Sequence, residues 1–99
     1  MTITDIKIRK IILEGKLKGV VSITLDNVLA VHDIKVVQGE ERLFVAMPSR
    51  RDDNGVFRDI VHPISSDARI EMETKILEAF NMEYQQKIES QDDNKAETI

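Results

Sequence analysis

At 99 residues with no cysteine, the chain has room for one domain and excludes disulfides and thiolate metal sites. Its formal net charge of −4 is unevenly placed: residues 1–70 hold 11 Lys and Arg against 10 Asp and Glu, whereas residues 71–99 hold 3 against 8. A globally basic nucleic-acid-binding domain is therefore excluded, and any electrostatic footprint must be a local patch. Hydrophobic residues make up 41% of the chain and aromatic residues 4%, so the core has to be built mainly from Ile, Val and Leu. No apolar run approaches the roughly 18 residues that span a bilayer, and the start does not read as a secretion signal, which points to the cytoplasm.

In chain order, residues 4–12 alternate, with Ile6, Ile8 and Ile12 on one side and Asp5, Lys7 and Arg9 on the other, as a half-buried strand does. Glu14-Gly15-Lys16 makes a turn, and residues 17–26 alternate again, so the first two strands form a hairpin. Asp26-Asn27 turns the chain into a third run over residues 28–37, apolar on both sides at several points, as a central strand is. Two short apolar runs, 43–47 and 56–61, flank Pro48-Ser49-Arg50-Arg51-Asp52-Asp53-Asn54-Gly55 and read as two strands joined by a loop that presents both arginines. Asn54-Gly55 readily takes the positive φ values of a tight hairpin turn.

After Pro63 the period changes from two to that of a helix over residues 67–88, capped by Ser65 or Ser66 and with Asp67 in its first turn. Ile70, Ile76, Leu77, Phe80, Tyr84 and Ile88 fall within an arc of about 120° that faces the sheet, with Tyr84 at its edge. Residues 1–89 thus read as a single α+β domain, a five-stranded antiparallel β-meander followed by one long C-terminal helix packed on the sheet. Residues 90–99 are acidic and polar without period and read as a disordered tail. Five strands make a sheet roughly 20 Å across, whereas a helix is about 10 Å wide, so apolar surface is left over. A second copy in a two-fold homodimer is the nearest cover.

Arg50 and Arg51 have the guanidinium geometry to clamp phosphates, with Lys7, Arg9 and Lys10 on the first strand and Arg69 at the helix start as extensions of the patch. The alternative is a solvated loop whose arginines pair with Asp52 and Asp53. His32 shares its alternation with Ala30 and Ile34 and reads as a packed, hydrogen-bonded strand residue; His62, before Pro63, is held extended at the strand-to-helix corner. Asp52-Asp53-Asn54-Gly55 lacks the spacing of a calcium loop, and Ser65-Ser66 lacks a nucleophile elbow. No catalytic set, metal site or cofactor is read from the chain, which is not expected to be an enzyme.

The runs ITDIKIRKI, VVSITLDN and VHDIKV, and above all LFVAMPSRR followed by NGVFRDIVHPI, resemble the bacterial SpoVG (stage V sporulation protein G) family over about residues 1–80. The resemblance implies a small dimeric protein linked to septum formation and sporulation, several members of which act as DNA- and RNA-binding regulators. Its basic pair falls on Arg50 and Arg51. Asp52-Asp53 replaces the Thr-Pro-type turn usual after that pair and puts two carboxylates beside the arginines. Arg58 and Asp59 also fit the family pattern, and equally fit a structural ion pair.

Two functions follow as expectations. In the first, a dimeric DNA- and RNA-binding regulator uses the Arg50-Arg51 loops. In the second, the chain is an adaptor for division or sporulation proteins, acting through the acidic helix and tail or an open sheet edge, without binding nucleic acid.

Overall fold

Alternation in the first three strands and Ser65 ahead of the helix build what the computed structural model shows over residues 2–97, with side chains described through residue 89. The described residues form β1 (Ile3–Ile11), β2 (Leu17–Leu25), β3 (Leu29–Gln38), β4 (Leu43–Ala46), β5 (Ser49–Arg51), β6 (Phe57–Asp59) and α1 (Ser66–Glu97). The class is α+β.

The expected five-stranded meander is a four-stranded antiparallel sheet, β1-β2-β3-β4, plus a separate two-stranded ribbon of β5 and β6. The break falls at Met47-Pro48, where the chain leaves β4 and Pro48 has no N–H to offer a ladder. Pro48 instead accepts a hydrogen bond at its carbonyl from the Ile60 amide, at 2.8 Å, which anchors the base of the ribbon.

Turn chemistry fixes the hairpins. Gly15 takes φ 89° between β1 and β2, and Asp26 and Asn27, at φ 51° and 57°, turn the chain from β2 into β3, with the Val28 amide donating to the Leu25 carbonyl at 3.0 Å. That second turn is tied back to β1: the Thr2 amide donates to Asp26 Oδ1 at 2.8 Å and the Asn27 amide to Thr4 Oγ1 at 3.0 Å. Opposite Ser22, β3 carries an extra residue at His32-Asp33, where Asp33 has φ 61°.

The register stacks the inner face in rows: Ile3-Leu25-Leu29, Ile6-Ile23-Val31, Ile8-Val21-Ile34, and Ile11-Gly19-Val36-Val45. Val21, Ile23, Ile34 and Val36 are fully buried or nearly so, and Ile76 and Phe80 of α1 close the core over them. Packing chiefly on β1 and β4, the two edges, α1 crosses the sheet instead of lying along one strand. Phe80 comes down on Gly19, and Tyr84 stacks on Phe80 at 5.4 Å.

Ser65 is the helix cap, its Oγ accepting from the Ala68 amide at 3.1 Å, and Asp67 lies in the first turn. Two details of the helix differ from expectation. Ile70 is 63% exposed, because a crossing helix leaves part of its apolar arc outside the sheet. The helix also continues past residue 88 to Glu97, so the backbone runs helical into the stretch read as a tail. The side chains of residues 90–99, and the last two residues altogether, lie outside the described residues. Among the described residues no helix is long and apolar enough to cross a membrane.

A crossing helix covers one end of the inner face. At the other end an apolar groove of about 700 Å³ remains, lined by residues including Leu25, Leu29, Val31, Ile60, Ile64 and Met72.

Candidate nucleic-acid interface

The ribbon is held shut at its tip by Asp52. Its amide donates to the Val56 carbonyl at 2.9 Å, and the Gly55 amide donates to the Asp52 carbonyl at 3.0 Å. Asp52 Oδ1 accepts from the amides of Asn54 (2.9 Å) and Val56 (3.0 Å), while Oδ2 accepts from Arg58 Nε at 2.9 Å. Gly55 alone takes a positive φ here, 83°, so this is a three-residue hairpin with a glycine bulge, not the two-residue turn with both Asn54 and Gly55 left-handed. The guanidinium of Arg51 lies over Gly55, where a Cβ would come within 3.2 Å of Nη2.

This arrangement corrects three expectations. Arg50 and Arg51 are in a strand, not a loop, and the loop proper is 52–56. Asp52 pairs with Arg58 and with neither arginine of the basic pair. Arg58 consequently does not form the ion pair with Asp59 considered for the fifth strand. Because adjacent strand residues point to opposite faces, Arg50 shares one face of the ribbon with its cross-strand partner Arg58, and Arg51 shares the other with Phe57. Both members of the basic pair are exposed, and among the described residues neither has a carboxylate partner.

The Asp52 carboxyl is held below its usual value of 3.8, chiefly by the Arg58 guanidinium, with the Val56 and Asn54 amides acting the same way. A folded value below the unfolded one means that the contribution of Asp52 is complete above 3.8 and is lost as pH falls through the lower folded value. Acid titration followed on the Asn54 and Val56 amide resonances is expected to show one step, with its midpoint below 3.8. A midpoint at or above that value would show that the Arg58 pair does not form in solution.

The remaining candidates do not gather around the ribbon. Arg69 lies on the helix layer, 3.7 Å from Glu73, which also meets Arg42 at 3.7 Å. Lys7 and Arg9 lie on the opposite, open face of the sheet. There Arg9 Nε donates to Ser22 Oγ at 3.2 Å, and Ser22 Oγ meets His32 Nδ1 at 2.9 Å. This contact leaves Ser22 6% exposed, a buried polar residue that is fully partnered. His32 is hydrogen-bonded as expected but exposed, not packed. His62 is exposed too, with Nδ1 3.1 Å from the Pro63 carbonyl. Among the described residues no three His, Cys, Asp or Glu side chains converge on a metal position.

Two open-face residues were missed by the sequence reading, Lys35 and Phe44. The signal was there: each stands between residues whose side chains face the core, Ile34 and Val36 for Lys35, Leu43 and Val45 for Phe44. Alternation alone therefore puts both on the outer face.

The fold and surface thus define a class: small α+β proteins with a four-stranded antiparallel sheet, a crossing C-terminal helix and a projecting arginine-bearing ribbon. Within it, the SpoVG family model matches residues 1–82, and the chain belongs to that family. It is 58% identical over 80 residues to the "Putative septation protein SpoVG" of Clostridium beijerinckii, covering 81% of this chain and 88% of that protein. The protein of the same name from Heliobacterium modesticaldum is 56% identical over 80 residues, covering 81% and 90% of the two chains. A Clostridium botulinum protein of that name is 52% identical over 92 residues, covering 93% and 97%.

Proposed function

We propose that this protein is a homodimeric DNA- and RNA-binding regulator serving septation and sporulation, with the β5-β6 ribbon as its phosphate-binding device. The observation that carries the reading is the pair Arg50 and Arg51, exposed and without carboxylate partners among the described residues, on a ribbon whose acidic clamp, Asp52, is occupied by Arg58. Two-stranded ribbons fit the major groove, which is about 12 Å wide. An arginine on each face of such a ribbon reaches a different phosphate strand. The septation role is supported by the name that the similar proteins carry.

The homodimer is supported by the groove that α1 leaves open. Leu29, Ile60 and Ile64 around it are 51%, 63% and 91% exposed, an apolar surface of the kind that a second copy covers. Two ribbons then present four arginines. If each neutralises one phosphate, log K falls with log salt at a slope of about −3.6 on duplex DNA.

The test is fluorescence anisotropy of duplex DNA across a salt series with wild-type protein and the Arg50→Ala, Arg51→Ala double variant. The expected result is a steep slope that flattens in the variant, with sedimentation of the same mixture giving two chains per complex. Unchanged duplex binding by a folded variant overturns the ribbon assignment. Absence of binding at low salt turns the reading to the adaptor function, for which the acidic helix is the surface that would meet a basic partner protein.

A further inference from the structure

We propose that the open face of the four-stranded sheet is a second nucleic-acid surface, one that takes a single strand: phosphates on Lys7, Arg9, Lys10 and Lys35, and a base stacked on Phe44. This inference rests on the nucleic-acid reading above and deepens it by giving the unpaired strand its own place on the molecule.

The register places these groups together. Lys7 stands opposite Ser22, the residue that Arg9 and His32 contact, so all four share one face. In the next row Lys10 and Lys35 flank Val20, and Ala46 follows Lys35 on β4. Two strand spacings separate the two lysines, about 10 Å. One row further, Val37 stands beside Phe44, which is 38% exposed and backed on one side by Gly39, where a Cβ would come 3.3 Å from the ring. A partly exposed ring held at its edge presents a face instead of rotating freely, as a stacking platform requires.

Charge favours a polyanion on this side. Lys7, Lys10 and Lys35 have no carboxylate partner among the described residues, and Arg9 is engaged only by a hydroxyl. Asp5 and Asp33 are the carboxylates on the same strands, but neither lies in the row of Lys10 and Lys35. Glu71, Glu73, Glu78, Glu83 and Glu89 belong to α1, which packs on the other side of the sheet. An approaching strand is therefore repelled from the helix layer and drawn to the open face. Shape decides the form of the ligand. A sheet four strands wide cannot enter a duplex groove, but it can carry splayed nucleotides across its surface, with the ring reading a base face and the cations following the backbone.

Anisotropy with labelled oligo(dT), oligo(rU) and a duplex of equal length separates the possibilities, using wild type, Lys10→Ala with Lys35→Ala, Phe44→Leu, and the Arg50→Ala, Arg51→Ala variant. Phe44→Leu keeps an apolar side chain and removes the π face, and circular dichroism confirms folding. Loss of the two lysines is expected to flatten the single-strand salt slope by about 1.4. Phe44→Leu is expected to weaken single-strand binding roughly fivefold or more at unchanged slope. Both should leave duplex binding as in wild type, while the ribbon variant loses the duplex. The ratio of oligo(dT) to oligo(rU) affinity assigns the surface to DNA or RNA. Wild-type single-strand binding by both face variants overturns the inference, as do equal losses on single strand and duplex, or a wild type that binds duplex only; in each of these cases the ribbon reading is decided separately, standing if the Arg50→Ala, Arg51→Ala variant loses the duplex and falling if it does not. A wild type that binds none of the three overturns both.

Discussion

Phe80→Ala is expected to lower stability by about 3–5 kcal/mol, the range for truncating a fully buried aromatic. Phe80 is 0% exposed, sits against Gly19 of β2 and carries Tyr84 on its ring at 5.4 Å, so truncation opens a cavity at the crossing point of helix and sheet. The helix has few other anchors among the described residues: Ile76 is the one other helix residue there in the buried core, with Met72, Leu77 and Tyr84 partly buried beside it. Domains of this size are stable by about 5–15 kcal/mol in total, so the loss removes a large share. At roughly 4–8 °C per kcal/mol, the thermal unfolding midpoint followed by circular dichroism should fall by about 12 °C or more. The comparison has to be made at one protein concentration, because the melting temperature of the proposed homodimer would depend on it. A change of only a few degrees would mean that the helix is not held to the sheet through this ring.

That same crossing explains what the sequence could and could not show. The period-two alternation of β1 to β3 reflects burial on one face, so strand positions, hairpins and inward residues such as Ile6, Ile8, Val21 and Ile23 were legible directly. The helix start was legible because a Ser side chain has to satisfy free amides there. The angle at which a helix lies on a sheet leaves no mark in its own periodicity, and Ile70 accordingly satisfied the apolar arc while standing outside the contact. The ribbon was misread for a different reason. Strands of three residues carry too little alternation to detect, so Arg50 and Arg51 were assigned to a loop, where neighbours can share a direction. Once they are in a strand, opposite faces are obligatory, so the two guanidiniums do not form a clamp from one side. Asp52 was read as a competitor for these arginines because they adjoin it in the chain. The hairpin folds back so that Arg58, six residues on, reaches it instead.

Gly19→Ala should be the more informative substitution, although its expected cost is smaller, about 1–3 kcal/mol, as for overpacking elsewhere. A Cβ on Gly19 would lie 2.4 Å from Phe80 Cε1, 3.0 Å from Cδ1 and 3.0 Å from the Lys10 carbonyl. Neither neighbour yields easily, since the ring is fully buried and the carbonyl is backbone. No left-handed conformation is involved, so the glycine is required by proximity and not by φ. Replacing glycine by alanine also restricts the unfolded chain, which by itself would stabilise by about 0.4–1 kcal/mol, and a net loss therefore measures the clash. A double-mutant cycle with Phe80→Leu isolates it. If the smaller side chain makes room, Gly19→Ala should cost much less in that background, with a coupling energy of about 1 kcal/mol or more. Strict additivity of the two substitutions in denaturant unfolding would mean that ring and glycine are not in contact, and that the Lys10 carbonyl on the neighbouring strand sets the limit.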